Sequence, residues 1–132
     1  VLILGRVTSG SGGDIIMATP CPERIAIHEH TETMRALKGL PSREARHEAA
    51  RRGLRDLTAV NVVVWLGRLN ELAWVSLYSD GLTDDDLDVL GFARAHSLQS
   101  ALDAALRRQG PDAQVLVVTH AGEMCPVLRV GG

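Results

Sequence analysis

The side chains of this chain that could do chemistry fall in two short stretches. One is Pro20-Cys21-Pro22-Glu23, with His28-Glu29-His30 and Glu32 close behind it; the other is Thr119-His120 followed by Glu123 and the Cys125-Pro126 pair. Cysteine, histidine and glutamate are ligands that a transition metal accepts, but the alternate spacing of His28 and His30 is specific to no coordination geometry. Neither cysteine belongs to a Cys-x-x-Cys motif, so neither a metal site nor a disulfide scaffold is expected. A nucleophilic pair of Cys21 with His120 or His28 would need a depressed thiol pKa and a third group to orient the imidazole. The sequence specifies neither, and a structural cysteine packed beneath a proline loop is the competing reading. No catalytic residue is therefore assigned within the chain.

Two further features invite a ligand. Trp65 and Trp74 carry most of the aromatic surface of a chain with 3% aromatic residues; either indole could fill a core, and one on a helix near a sheet rim could stack on a flat ring. Gly10-Ser11-Gly12-Gly13 has the composition of a phosphate cradle. It precedes a strand instead of joining a strand to a helix, and it reads as a linker.

The elements that must position these residues follow from apolar periodicity. Residues 15–18 form a short apolar run that Pro20 and Pro22 terminate by withholding backbone donors, so the strand ends near Thr19. In open α/β sheets ligands collect outside the carboxyl ends of the strands, which places the Pro20–Glu23 loop and the His28-Glu29-His30 loop at such an edge. Ser42 is expected to cap a helix running to about Leu57, with Ala45, Ala49 and Leu54 as a thin apolar seam. Residues 60–72 are ambiguous: the β-branched start favours a strand, whereas the length and the spacing of Val62, Leu66, Leu69 and Leu72 favour the helix adopted here.

A strand is expected over residues 73–78, then a Ser79-Asp80-Gly81 turn. Thr83 caps a short helix opening on Asp84, Asp85 and Asp86, whose carboxylates face the positive helix end, and Gly91 ends it. A brief strand over 92–96 leads to Ser97, the cap of a helix carrying Leu98, Ala101, Leu102, Ala105 and Leu106 on one face. Gly110-Pro111 stops that helix, and Val115 to Val118 is an apolar run suited to a central parallel strand. Alternating strands and helices make a layered α/β sheet, with residues 15–19, 74–78 and 115–119 as neighbouring strands.

At 132 residues and 45% hydrophobic, the chain can bury one core and shows no second composition regime. A net charge of -2, with basic and acidic residues interspersed, gives no footprint for nucleic acid. No apolar run approaches the length needed to span a bilayer and no leader architecture is visible, so a cytoplasmic protein is expected. The start at Val1 and the end at Gly131-Gly132 read as a piece of something longer.

The runs GGDIIMATPCPE and WLGRLNELAWVSLYSDGL, the Leu90-Gly91-Phe92 followed by Ser97-Leu98-Gln99-Ser100-Ala101-Leu102, and the final VLVVTHAGEMCPV together resemble the C-terminal domain of the lactate racemase family, from Gly12 to Val127. These are nickel-pincer-nucleotide-dependent isomerases of 2-hydroxy acids. The resemblance implies a two-domain enzyme with its active site in the cleft between domains, where the cofactor's pyridinium ring takes a hydride from the substrate carbon and returns it to either face. It also implies that the lysine tethering the nucleotide, the histidine on nickel and the histidines that move the proton belong to an N-terminal catalytic domain, the partner of this one. The C-terminal domain would add an aromatic side chain near the cofactor ring, matched here to Trp65. Pro20, Cys21, Pro22 and Glu23 would shape the pocket of a small hydroxy acid. One departure stands out: Arg24 occupies a position where the resemblance calls for glycine, which reaches positive φ at no steric cost.

The expectation is thus an α/β, Rossmann-like three-layer sandwich with a mostly parallel sheet, a single domain over residues 1–132. It would be inactive alone and would form one wall of a racemase or epimerase. The alternative is a non-catalytic α/β binding or assembly module.

Overall fold

A computed structural model of the protein describes residues 2–4, 12–25 and 28–120. The fold is α/β, with a five-stranded sheet and five helices in a Rossmann-like sandwich. Strand β1 is Leu2–Leu4, β2 Gly13–Ala18, β3 Ala73–Tyr78, β4 Ala93–Arg94 and β5 Val115–Val117, in the spatial order β4-β3-β2-β1-β5. Strand β2 pairs parallel with β3 and β3 with β4, whereas β1 lies antiparallel to both β2 and β5. Strands β2 to β5 therefore share one direction.

The helices are α1 (His28–Leu37), α2 (Ser42–Arg52), α3 (Leu57–Leu72), α4 (Asp84–Leu90) and α5 (Leu98–Gln109). Alternation along β2 sends successive side chains to opposite faces. Ile16 meets Ala101 and Ala105 of α5 on one face, and Met17 packs with Leu77, Leu82 and Leu87 on the other. A further cluster is wholly helical: Met34, Leu37, Ala45, Ala49, Ala59, Val63, Val64 and Val89 from α1 to α4. Among the described residues no helix is long and apolar enough to cross a membrane.

Several elements stand as the sequence indicates. Residues 57–72 are a helix, because the Asp56 side chain accepts the Ala59 N–H at 3.0 Å and caps it. Thr83 and Asp86 form a reciprocal capping box, and so do Ser97 and Ser100.

Others differ. Helix α2 stops at Arg52, five residues short of Leu57, because Gly53 turns left-handed at φ 63°. Its N-cap is Pro41, and the Ser42 N–H is taken instead by Glu71 Oε1 at 2.9 Å. His28, Glu29 and His30 open α1 instead of lying in a loop. The strand expected over 92–96 shrinks to two residues. Among the described residues strand β5 is an edge strand, separated from β2 by β1, with Val115, Leu116 and Val117 all exposed. A continuous apolar run suits a strand buried on both faces, but it does not by itself exclude an edge. Of the glycine-rich stretch read as a linker, Gly10 and Ser11 lie outside the described residues and Gly13 begins β2.

Candidate functional site

The parallel pair β2 and β3 delivers two turns to its carboxyl edge: residues 19–25 after β2, and residues 79–83 between β3 and α4. The ladder runs one bond further, from the Thr19 N–H to the Tyr78 carbonyl at 3.1 Å. Pro20 and Pro22 then end it. The two turns lock together: the Ser79 hydroxyl donates to the Pro20 carbonyl at 3.2 Å and accepts the Gly81 N–H at 3.2 Å. Gly81 is obligatory on steric grounds. A Cβ there would stand 2.0 Å from the Cys21 carbonyl oxygen and 2.3 Å from that of Pro20.

Within the first turn, Cys21 has φ 39° and Arg24 has φ 60°, the non-glycine residues with positive φ among those described. The Arg24 N–H closes the turn onto the Cys21 carbonyl at 3.0 Å. Its side chain then reaches the mouth of α4. Arg24 Nε and Nη2 each donate to an oxygen of Asp86 at 2.9 Å, and Nη2 also donates to the Thr83 hydroxyl at 3.2 Å. The remaining capacity of Asp86 Oδ2 takes the Thr83 N–H at 2.9 Å and the Thr83 hydroxyl at 2.8 Å. A carboxylate 2% exposed keeps its charge because both oxygens accept from the Arg24 guanidinium and Oδ2 takes two further bonds from Thr83. The Arg24 bond, opposed by burial and helped by Thr83, holds the Asp86 pKa down at about 2.

Arg24 also lines a cleft of about 330 Å³ with Glu23, Thr31, Glu32, Arg35 and Asp85. The Arg35 guanidinium is bidentate to Asp85 and lowers its pKa, while Lys38 pairs with Asp88 and Arg94 with Asp84. The acidic helix α4 thereby draws bases from the loop, α1 and β4. Of these pairs only the one at Asp86 is buried on its acidic side; the other carboxylates are 56% to 87% exposed, where an ion pair adds little.

The sequence-derived candidates separate into groups. Pro20, Cys21, Pro22 and Glu23 stand together at the strand ends, with Cys21 half-buried and its thiol 3.5 Å from the Thr19 hydroxyl. His30 is engaged elsewhere: its Nδ1 lies 2.7 Å from Asp56 Oδ2, tying α1 to the cap of α3. The Asp56 pKa falls, first through the Ala59 N–H bond and then through His30. His120 follows β5 on the same edge as Cys21, but β1 intervenes, which sets the two strands about 10 Å apart. Its Nδ1 lies 3.0 Å from the Thr119 hydroxyl. Glu123 and Cys125 lie outside the described residues, as do the side chains of His28 and Glu29. Among the described residues no three His, Cys, Asp or Glu side chains gather as a metal would need.

Trp65 is 68% exposed on the outer face of α3. It opens onto a groove of about 880 Å³ between α2 and α3, which Arg46, Leu57, Asn61 and Arg68 also line. That groove contains no residue of the Pro20–Glu23 loop. Trp74 lies instead against α5, with the Arg108 guanidinium 5.2 Å from its ring centroid.

Asp86 and Gly81 escaped the reading of candidates from sequence. The Thr83-x-x-Asp86 capping pattern placed Asp86 at the helix mouth, but nothing local tied it to Arg24, sixty-two positions away. The chain matches no protein-family model, and no curated protein or solved structure is significantly similar to it.

Proposed function

We propose that the chain forms one wall of the active site of a lactate-racemase-like isomerase, which racemises or epimerises a 2-hydroxy acid by hydride transfer to and from a nickel-pincer nucleotide. The observation that carries this reading is the backbone at position 24. The resemblance calls for glycine there, and Arg24 stands at φ 60°, the conformation glycine adopts without steric cost. The loop thus keeps a glycine-like backbone at position 24 although the residue is arginine. It does so at the carboxyl ends of parallel strands, the edge where α/β sheets hold ligands.

Trp65 suits the stacking role assigned to it in one respect: its indole is exposed, and Arg46 and Arg68 beside it carry the charge a phosphate seeks. The nucleotide, when bound, supplies the hydride acceptor and the nickel. This chain's residues would act from two separate places: Trp65 offers a flat face in the groove between α2 and α3, and Pro20, Cys21, Pro22 and Glu23 form a rigid rim at the strand ends that would exclude water from the reacting carbon. Nickel, proton transfer and the covalent tether fall to the N-terminal catalytic domain, so the domain alone is inactive under this reading.

The test uses the complete protein loaded with the nucleotide and a single enantiomer of a 2-hydroxy acid deuterated at C2. The opposite enantiomer should appear with its deuterium retained, because hydride return keeps the label. Exchange of the label with solvent, or no inversion across a panel of short, branched and sugar acids, would remove the proposal.

A non-catalytic binding or assembly module is the second reading, favoured by the exposed Val115, Leu116 and Val117 on an edge strand. An upstream domain bearing a lysine and closely placed histidines would decide for the isomerase; a gene without one would decide for the module.

A further inference from the structure

We propose that Asp86 is a positioning residue for the pocket loop: with Arg24 it makes a strut that holds Arg24 in the left-handed conformation that closes the turn over residues 20–24, which an arginine on its own would leave. Two observations meet here. Arg24 sits at φ 60°, where a Cβ crowds the backbone and L-residues other than glycine are disfavoured. Its guanidinium is at the same time fixed at two points on a carboxylate that is 3% exposed, with a third bond to Thr83. A two-point fork fixes direction as well as distance, so the side chain can hold its own backbone in place. Asp86 is in turn immobile, because Thr83 and the first turn of α4 hold it.

The strut replaces one means of making the turn with another. Glycine would reach φ 60° because nothing opposes it; here an ion pair across the carboxyl edge opposes relaxation. The consequence is a loop bound to the rest of the fold by its side chain, with Cys21 and Glu23 presented in one geometry. The strut lies in the loop on which the racemase reading rests, and its readouts need no turnover, so the two stand or fall separately.

Amide hydrogen exchange of the intact protein tests this over residues 19–24, read at the hydrogen-bonded amides of Thr19 and Arg24 because Pro20 and Pro22 have none, with α5 as an internal reference. Arg24→Ala removes the fork and keeps the Cβ, and exchange at 19–24 is expected to rise about tenfold while α5 is unchanged. Arg24→Gly removes the same fork and the crowding with it, so its exchange should stay near that of the parent. Equal exchange in Arg24→Ala and Arg24→Gly would overturn the proposal, since the backbone would then not be what the strut maintains. Asp86→Asn should behave as Arg24→Ala at 19–24; parent-like exchange there would also overturn it. If Asp86→Asn fails to fold because it disturbs the cap of α4, Arg24→Lys probes the strut and spares the cap. Lysine offers a point charge in place of the fork, so exchange at 19–24 should rise severalfold, and an unchanged profile would overturn the assignment.

Discussion

Asp86 and Asp14 are both all but sealed from solvent, at 2% and 1% exposure, yet they are held by arginines in different circumstances. The Asp86 pKa is lowered in the folded protein to about 2, so its stabilising contribution is complete above the ordinary carboxylate range and is lost as pH falls through about 2. Asp86→Asn should therefore cost about 2 kcal/mol at pH 7. Urea unfolding should find that cost constant from pH 5 to 8 and vanishing near pH 2. Asp14, on β2, accepts bonds from Arg108, at 2.9 Å from Nε, and from Gln109 Nε2 at 2.7 Å, the last two residues of α5. Arg108 is 39% exposed and lies over Trp74, so it tolerates losing its partner better than Asp14 does. Arg108→Ala leaves a buried carboxylate without its counter-charge, still bonded to the Gln109 side chain, and should cost about 3 kcal/mol, whereas Asp14→Asn should cost about 1 kcal/mol. Equal costs in denaturant titrations would mean that the burial of Asp14 is not what sets them. At this scale the sequence was partly legible. Pro20 to Glu23 were identifiable from two prolines and a strand end, but a pairing such as Arg24 with Asp86 leaves no local trace in the sequence.

Helices announced by both a cap and a period were read with their ends nearly right: α4 and α5 each carry a Ser or Thr box and a following glycine. Helix α1 was missed because its first turn, His28-Glu29-His30, looks like ligand chemistry and its apolar positions are few; among its described side chains Met34 and Leu37 alone are buried. Strand β5 was misplaced since a four-residue apolar run fits a centre or an edge equally, and β1, which fills the gap between β5 and β2, is itself only three residues long. The element-scale prediction concerns the meeting of the two turns. Gly81→Ala drives a methyl into the carbonyls of Pro20 and Cys21, neither of which can yield without moving the β2 loop. It should cost about 2 kcal/mol or more and raise amide exchange at 19–24. Gly53→Ala, at φ 63° but with open space around it, should cost about 1 kcal/mol in thermal or urea unfolding and leave that loop unaffected.

Across the whole molecule, the helical cluster around Leu37 and the sheet cluster around Leu77 are distinct, and Ile25 and Leu90 pack against both. The two tryptophans report from different layers, Trp65 on α3 beside the helical cluster and Trp74 on the face of β3 that meets α5. In Trp65→Phe and Trp74→Phe single-tryptophan proteins the fluorescence transitions should coincide, as one cooperative unit requires. Adding Leu37→Ala should lower both midpoints together, by about 3 kcal/mol, because that side chain is fully buried. Adding Ile25→Ala should instead part them, the helical lobe melting first; coincident midpoints would show that Leu90 suffices to couple the lobes. Ile25 directly follows the loop that rims the candidate pocket, and this adjacency bears on how the chain can change over generations. Substitutions that redraw residues 20–24 also disturb the neighbour that joins the two clusters, so many such variants are expected to lose stability before any other property of the loop can change.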